Sequence, residues 1–131
     1  MAIQTATNKV SLQLNNSNPL PDAVRDTFDV ITIAAAGTTQ ATATAIGNDK
    51  PLVLISNNTA ANGVILPVAA YIGQKITIYP QLATNAPLTY PPVGGSINSG
   101  TVNAGLATPA RKAAEFICVS RDGLTWVTNG L

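Results

Sequence analysis

The side chains that most often carry chemistry are nearly missing from this chain, which has no histidine, a single cysteine and six carboxylates among 131 residues. A zinc site draws mainly on imidazole and thiolate, so neither structural nor hydrolytic zinc is expected. Cys118 lies in the alternating run AEFICVS. With no imidazole to activate it, it reads as a packed thiol and not as a nucleophile. One cysteine also excludes an intrachain disulfide. Asp22, Asp26 and Asp29 fall close together, but they lack the alternating acids and central glycine of a calcium loop and read better as solvated or ion-paired carboxylates. Glu115 stands alone in its strand, so the paired carboxylates of a glycoside hydrolase are not in view. Gly94-Gly95 opens no helix and is followed by no Lys-Ser or Lys-Thr, which makes it a turn and not a phosphate cradle. No catalytic residue, cofactor or metal is therefore expected, and the chain is read as not an enzyme.

Binding chemistry is sparse as well. Charged residues make up 10% of the chain, against about 25% in an ordinary soluble domain. Lys9, Arg25, Lys50, Lys75 and Arg121 are scattered, and only Arg111 and Lys112 are adjacent. Nucleic acid is thus not an expected partner, because that binding rests on clustered cations that release counterions. So little charge protects a lone monomer poorly, which points to burial in an assembly. Tyr71, Tyr79, Tyr90 and Trp126 would form a sugar-binding platform only if they gathered on one exposed face; aromatics on a sheet more commonly close a core or an interface. Asn57-Asn58-Thr59 and Asn15-Asn16-Ser17 match the glycosylation triplet, as an Asn- and Thr-rich chain does by chance.

These residues must be positioned by strands. Length suits one domain, and from Pro51 onward short apolar runs alternate with turn clusters: PLVLIS, NNTAANG, VILPV, AAYIGQ, KITIYP. That spacing predicts an all-β, single-domain antiparallel β-sandwich or barrel of jelly-roll type. In KITIYP, Ile76 and Ile78 should face one way and Lys75, Thr77 and Tyr79 the other. Pro51, Pro67, Pro80, Pro87, Pro91 and Pro92 fall near strand ends, where a missing donor is tolerated. PPVGGSINSGTVNAG reads as a loop or very short strands. AAEFICVS and LTWVTN, joined across Arg121-Asp122-Gly123, make the best hairpin, with Asp-Gly suited to a type I′ turn. The expected core uses Leu52, Leu54, Val64, Leu66, Ile76, Ile78, Phe116, Cys118 and Trp126.

The first half is less regular. Val10, Leu12 and Leu14 alternate with Lys9, Ser11 and Gln13 as a half-buried strand does, and NNSNPLPD breaks the run. PDAVRDTF could hold one helical turn capped by Asp22. DVITIAA is a β-branched strand, and AGTTQATATAIGND is expected to be a second one with Thr42 and Thr44 on one face. Residues 1–50 are read as an N-terminal arm with first strands, carrying attachment, and 51–131 as the β body of the same domain. No run approaches the roughly 18 apolar residues of a membrane span. MAIQTATNKVSLQL has no secretory signal pattern, so synthesis in the cytoplasm is expected.

Over residues 52 to 128 the pattern resembles small virion proteins of tailed bacteriophages, of the capsid decoration (cement) or head-fibre type. The resemblance is carried by Ile55-Ser56-Asn57, Asn62-Gly63-Val64-Ile65-Leu66-Pro67, Gly73-Gln74, Ile76 to Tyr79, Tyr90-Pro91, Gly94-Gly95 with Ile97-Asn98, and Phe116, Cys118 and Trp126. It implies a homotrimer on the capsid surface of a virion, made in the bacterial host cytoplasm, with the major capsid protein as partner and no membrane or nucleic acid contact. The implied function is structural: bridging coat subunits to decorate or cement the shell. The alternative is a head-fibre or tail-fibre module that binds a host-surface glycan. A lectin-like module of cellular origin and an enzyme rank below both. Val10, Leu12, Leu14, Tyr79 and Tyr90 are the candidate interface residues, the first three docking onto the coat and the tyrosines combining apolar area with a hydrogen-bonding tip.

Overall fold

Val, Ile and Thr crowd a helical turn through their branched Cβ and pack well on a pleated surface, so runs such as VITI, LVLI and KITI commit the chain to strands. The computed structural model describes residues 30–57 and 61–129. Its strands are β1 (Val30–Ile33), β2 (Thr44–Ala45), β3 (Leu52–Ile55), β4 (Gly63–Ile65), β5 (Lys75–Pro80), β6 (Leu88–Tyr90), β7 (Ser96–Ile97), β8 (Leu106–Ala107), β9 (Ala114–Cys118) and β10 (Thr125–Thr128). A 3-10 turn at Gln40–Thr42 is the only helical element among the described residues. The all-β expectation is therefore met.

The strands form a six-stranded sheet in the order β1-β3-β5-β9-β10-β7 and a four-stranded sheet in the order β2-β4-β6-β8. From β1 to β6 successive strands alternate between the sheets, and those that meet in each sheet run parallel. The chain thus winds as a solenoid in which each turn lays one strand on each sheet. Antiparallel pairing, expected throughout, is confined among the described ladders to β5 with β9, β9 with β10, and β6 with β8. The physical reason lies in the connections. Residues 34–51 and 56–74 separate strands that are neighbours in the larger sheet, long enough for the crossover that parallel pairing requires. Each crossover is occupied by a strand of the opposite sheet instead of a helix.

Parallel register stacks like on like. Ile31, Val53, Ile78 and Ala114 form one inward row, and Ile33, Ile55 and Pro80 the next. Cys118, Trp126 and Ile97 form a third across the closing hairpin. Between the sheets these rows meet Ile46, Val64 and Leu66, and Val53, Ile55, Val64, Ile78, Phe116, Cys118 and Trp126 are fully closed to solvent. Cys118 is thus a packed thiol, donating a hydrogen bond to the Ser120 carbonyl at 3.3 Å. Burial weakens toward the first turn, where Ile31 and Ile33 are only partly covered. Because β1 and β2 pair with β3 and β4, residues 30–45 belong to the same sheets as the body.

Three local expectations are corrected. Leu52 and Leu54 face outward and Val53 and Ile55 inward, because LVLI is apolar at both parities and only stacking on Ile78 and Pro80 chooses between them. The stretch 36–49 is not one strand. Gly37, at φ 72, sits where a Cβ would collide with the Thr42 carbonyl, and the hydroxyl of Thr42 accepts the Thr39 N–H at 3.3 Å. These contacts fold the chain into the 3-10 turn and leave only Thr44–Ala45 as strand. The β9–β10 hairpin forms as expected, but its loop is not a type I′ turn: between residues 119 and 124 only Gly123 has positive φ, at 79. Gly123 N–H bonds the Ser120 carbonyl at 3.2 Å, which is a type I turn followed by a left-handed glycine. The Asp22 turn and the run 9–14 lie outside the described residues.

Candidate functional site

Two surfaces stand out once the core is accounted for. The first is the outward face of the six-stranded sheet. Register places Val30 beside Leu52, Leu54 beside Tyr79, and Ile117 beside Val127. All six are incompletely buried, and Val30 is 45% exposed. A sheet with one face in water ordinarily alternates apolar in and polar out; here Leu, Tyr, Ile and Val occupy outward positions as well. Thr32, Thr77 and Thr125 supply neutral polarity between them. The face's two described charges are Lys75 and Glu115, whose Nζ and Oε2 lie 3.7 Å apart with side chains 60% and 41% exposed. It is a largely apolar surface of balanced charge.

The second is a cleft of about 190 Å³ at the start of β3 and β5, lined by Asn48, Asp49, Pro51, Ala70, Tyr71, Gln74 and Lys75. Gln74 holds it together. This buried side chain accepts the Ala70 N–H at 2.7 Å through Oε1 and donates from Nε2 to the Asn48 carbonyl at 3.1 Å and to Asn48 Oδ1 at 2.9 Å. Asn48 Nδ2 in turn donates to the Val68 carbonyl at 2.8 Å. The two turns that wall the cleft are therefore locked to one another.

The aromatic residues are dispersed. Trp126 is wholly buried, Tyr79 lies on the outward sheet face, and Tyr71 alone projects strongly, at 65% exposure. Tyr90, a candidate interface residue, is enclosed by its own chain: its ring lies between Gly63 and Gly105, and its hydroxyl donates to the Thr38 carbonyl at 3.3 Å. Tyr79 sits where a partner could reach it. Val10, Leu12 and Leu14 lie outside the described residues.

Among the described residues no three His, Cys, Asp or Glu side chains gather to hold a metal ion. The nearest approach to a reactive grouping is Ser120 with Asp122, whose hydroxyl and carboxylate are 2.6 Å apart. That pair is committed to the turn. Ser120 Oγ accepts the N–H groups of Leu124 and Thr125, and Asp122 Oδ1 accepts the Leu124 N–H at 3.0 Å. The hydrogen bond from Ser120, aided by that from Leu124, holds the Asp122 carboxyl below its ordinary value of 3.8. Such a carboxylate is a poor base and a good acceptor.

Comparison of the sequence with known families and with curated proteins finds no match. The outward apolar face and the cleft escaped sequence reasoning for different reasons. Alternation in LVLI is ambiguous, and the cleft joins residues 48–51 to 70–75 only through the coil of the solenoid.

Proposed function

We propose that this chain is a non-enzymatic structural protein of a phage virion, decorating or cementing the capsid shell by bridging coat subunits, and that it works as a homotrimer. The observation that carries this reading is the outward apolar face of the six-stranded sheet, with Leu52, Leu54, Tyr79, Ile117 and Val127 turned away from the core. Covering that face completes a scaffold whose own charges guard it weakly. The Lys75–Glu115 pair supports contact between copies, since a surface carrying one charge of each sign can be complementary to itself. Copies repeated over one shell gain avidity from individually modest contacts. Residues 1–50, with the alternating Val10, Leu12 and Leu14, remain the proposed attachment to the major capsid protein.

The deciding experiment counts and places the chain in a purified particle. Hundreds of copies over the shell are expected; a few copies at one vertex, or none, would overturn the reading. Light scattering of the isolated protein should give three times the chain mass, and a stable monomer at micromolar concentration would remove the trimer.

A further inference from the structure

We propose that the cleft between the 48–51 and 70–75 turns binds a single pyranose sugar unit. This inference rests on a different surface from the decoration reading and shares with it only Lys75, which belongs to both.

The cleft has the three properties that such a ligand requires. First, its frame is preformed: Gln74 bridges the turns with three hydrogen bonds and is only 4% exposed, so the two walls need no rearrangement when a ligand enters. Second, its walls are apolar while its rim is charged. Pro51, Ala70 and the Tyr71 ring present carbon surface, whereas Asp49 and Lys75 offer one carboxylate and one ammonium. Third, those charged groups are accessible. Asp49 Oδ2 is 3.3 Å from Lys50 Nζ with the aspartate side chain 76% exposed, and Lys75 meets Glu115 only at 3.7 Å. Ion pairs with solvent-exposed members contribute little and leave Asp49 and Lys75 open to a competing partner.

A pyranose matches this arrangement group by group. One of its faces is a sheet of C–H bonds, which can lie against the electron-rich face of Tyr71. Its edge carries vicinal hydroxyls, which donate together to a carboxylate such as Asp49 and accept from an ammonium such as Lys75. The amides of Asn48 and Gln74 are mostly spent within the protein, so recognition falls to Asp49, Lys75 and Tyr71. The cleft, about 190 Å³ and open to solvent, has room for a ligand of one sugar ring. Other ligands fit less well. A phosphate would meet the Asp49 carboxylate, a metal ion would find a single acidic ligand, and a purely apolar molecule would leave both charges unused.

Saturation-transfer NMR on the full chain tests this, using glucose, galactose, N-acetylglucosamine and N-acetylneuraminic acid one at a time at millimolar concentration. Transfer to at least one sugar is expected, with Tyr71→Ala abolishing it and Asp49→Asn weakening it roughly tenfold. Val93→Ala, on an exposed side chain outside the cleft, should leave it unchanged. All three substitutions fall on side chains outside the core, and unchanged circular dichroism confirms each fold. Tyr71→Phe retains the ring and should retain binding. Absence of transfer from all four sugars, or transfer that survives both Tyr71→Ala and Asp49→Asn, would overturn the proposal.

Discussion

The hydroxyls of Thr89 and Thr108 meet at 2.6 Å in a site wholly closed to solvent. Thr89 lies on the inner side of β6, and Thr108 follows β8, the antiparallel neighbour that ends the smaller sheet. Each hydroxyl is the other's partner in a low-dielectric interior, so neither can be removed alone without stranding its mate. Thr89→Val or Thr108→Val should each destabilise the fold by about 1–3 kcal/mol, whereas the double valine variant should recover most of that loss. Urea unfolding of the four proteins measures the coupling. Additive losses would show that the pair does not act as a unit.

Tyr90 depends on two glycines in a comparable way. A Cβ on Gly63 would stand 2.7 Å from its ring, and one on Gly105 would stand 2.8 Å from the ring's other edge. Gly63 also lies in β4, hydrogen-bonded into the smaller sheet, and cannot retreat easily. Gly63→Ala and Gly105→Ala are each expected to cost about 1–3 kcal/mol by overpacking. The readout is the thermal midpoint, and a change below about 0.5 kcal/mol at either site would mean that the ring moves aside.

Acid should loosen the closing hairpin in a defined direction. Hydrogen bonds from Ser120 and Leu124 hold the Asp122 carboxyl below 3.8. A carboxyl whose folded value lies below its unfolded value adds stability that is fully present above the unfolded value and is lost as pH falls through the folded one. Asp122→Asn should therefore flatten part of the stability decline between about pH 5 and pH 2. Urea midpoints across that range check it, and identical acid profiles for the two proteins would refute the assignment.

The outward sheet face should govern association without governing folding. Leu54 and Tyr79 are neighbours in register there, half-buried and on the side away from the core. Leu54→Lys or Tyr79→Lys should alter unfolding by no more than about 1 kcal/mol. Each should nonetheless shift the assembly toward monomer in sedimentation experiments at micromolar concentration. A variant that remains fully assembled would move the contact elsewhere.

Much of the fold is legible along the chain, because period-two patterns report which face of a strand is buried. Ile76 and Ile78 turn inward, Lys75, Thr77 and Tyr79 outward, and Phe116, Cys118 and Trp126 close the core, as alternation indicates. The pattern fails where it is degenerate. In LVLI every residue is apolar, so burial of Val53 and Ile55 was decided by the rungs stacked on either side. It fails also at the Asp122-Gly123 turn, where side-chain acceptors on Ser120 and Asp122 stabilise a wider loop than the dipeptide alone prefers.

What the sequence determined by itself is the class of structure and the poverty of reactive groups, since propensity, turn residues and composition are local properties. Strand direction was decided only by the tertiary structure. Parallel and antiparallel strands share the same alternation, and the difference lies in where a crossover of some twenty residues returns. The candidate surfaces arose at the same level: the outward face needs five strands in register, and the cleft needs two successive turns of the solenoid held together by Gln74. Contacts between residues far apart in sequence leave no local signal, so only the coil could bring them together.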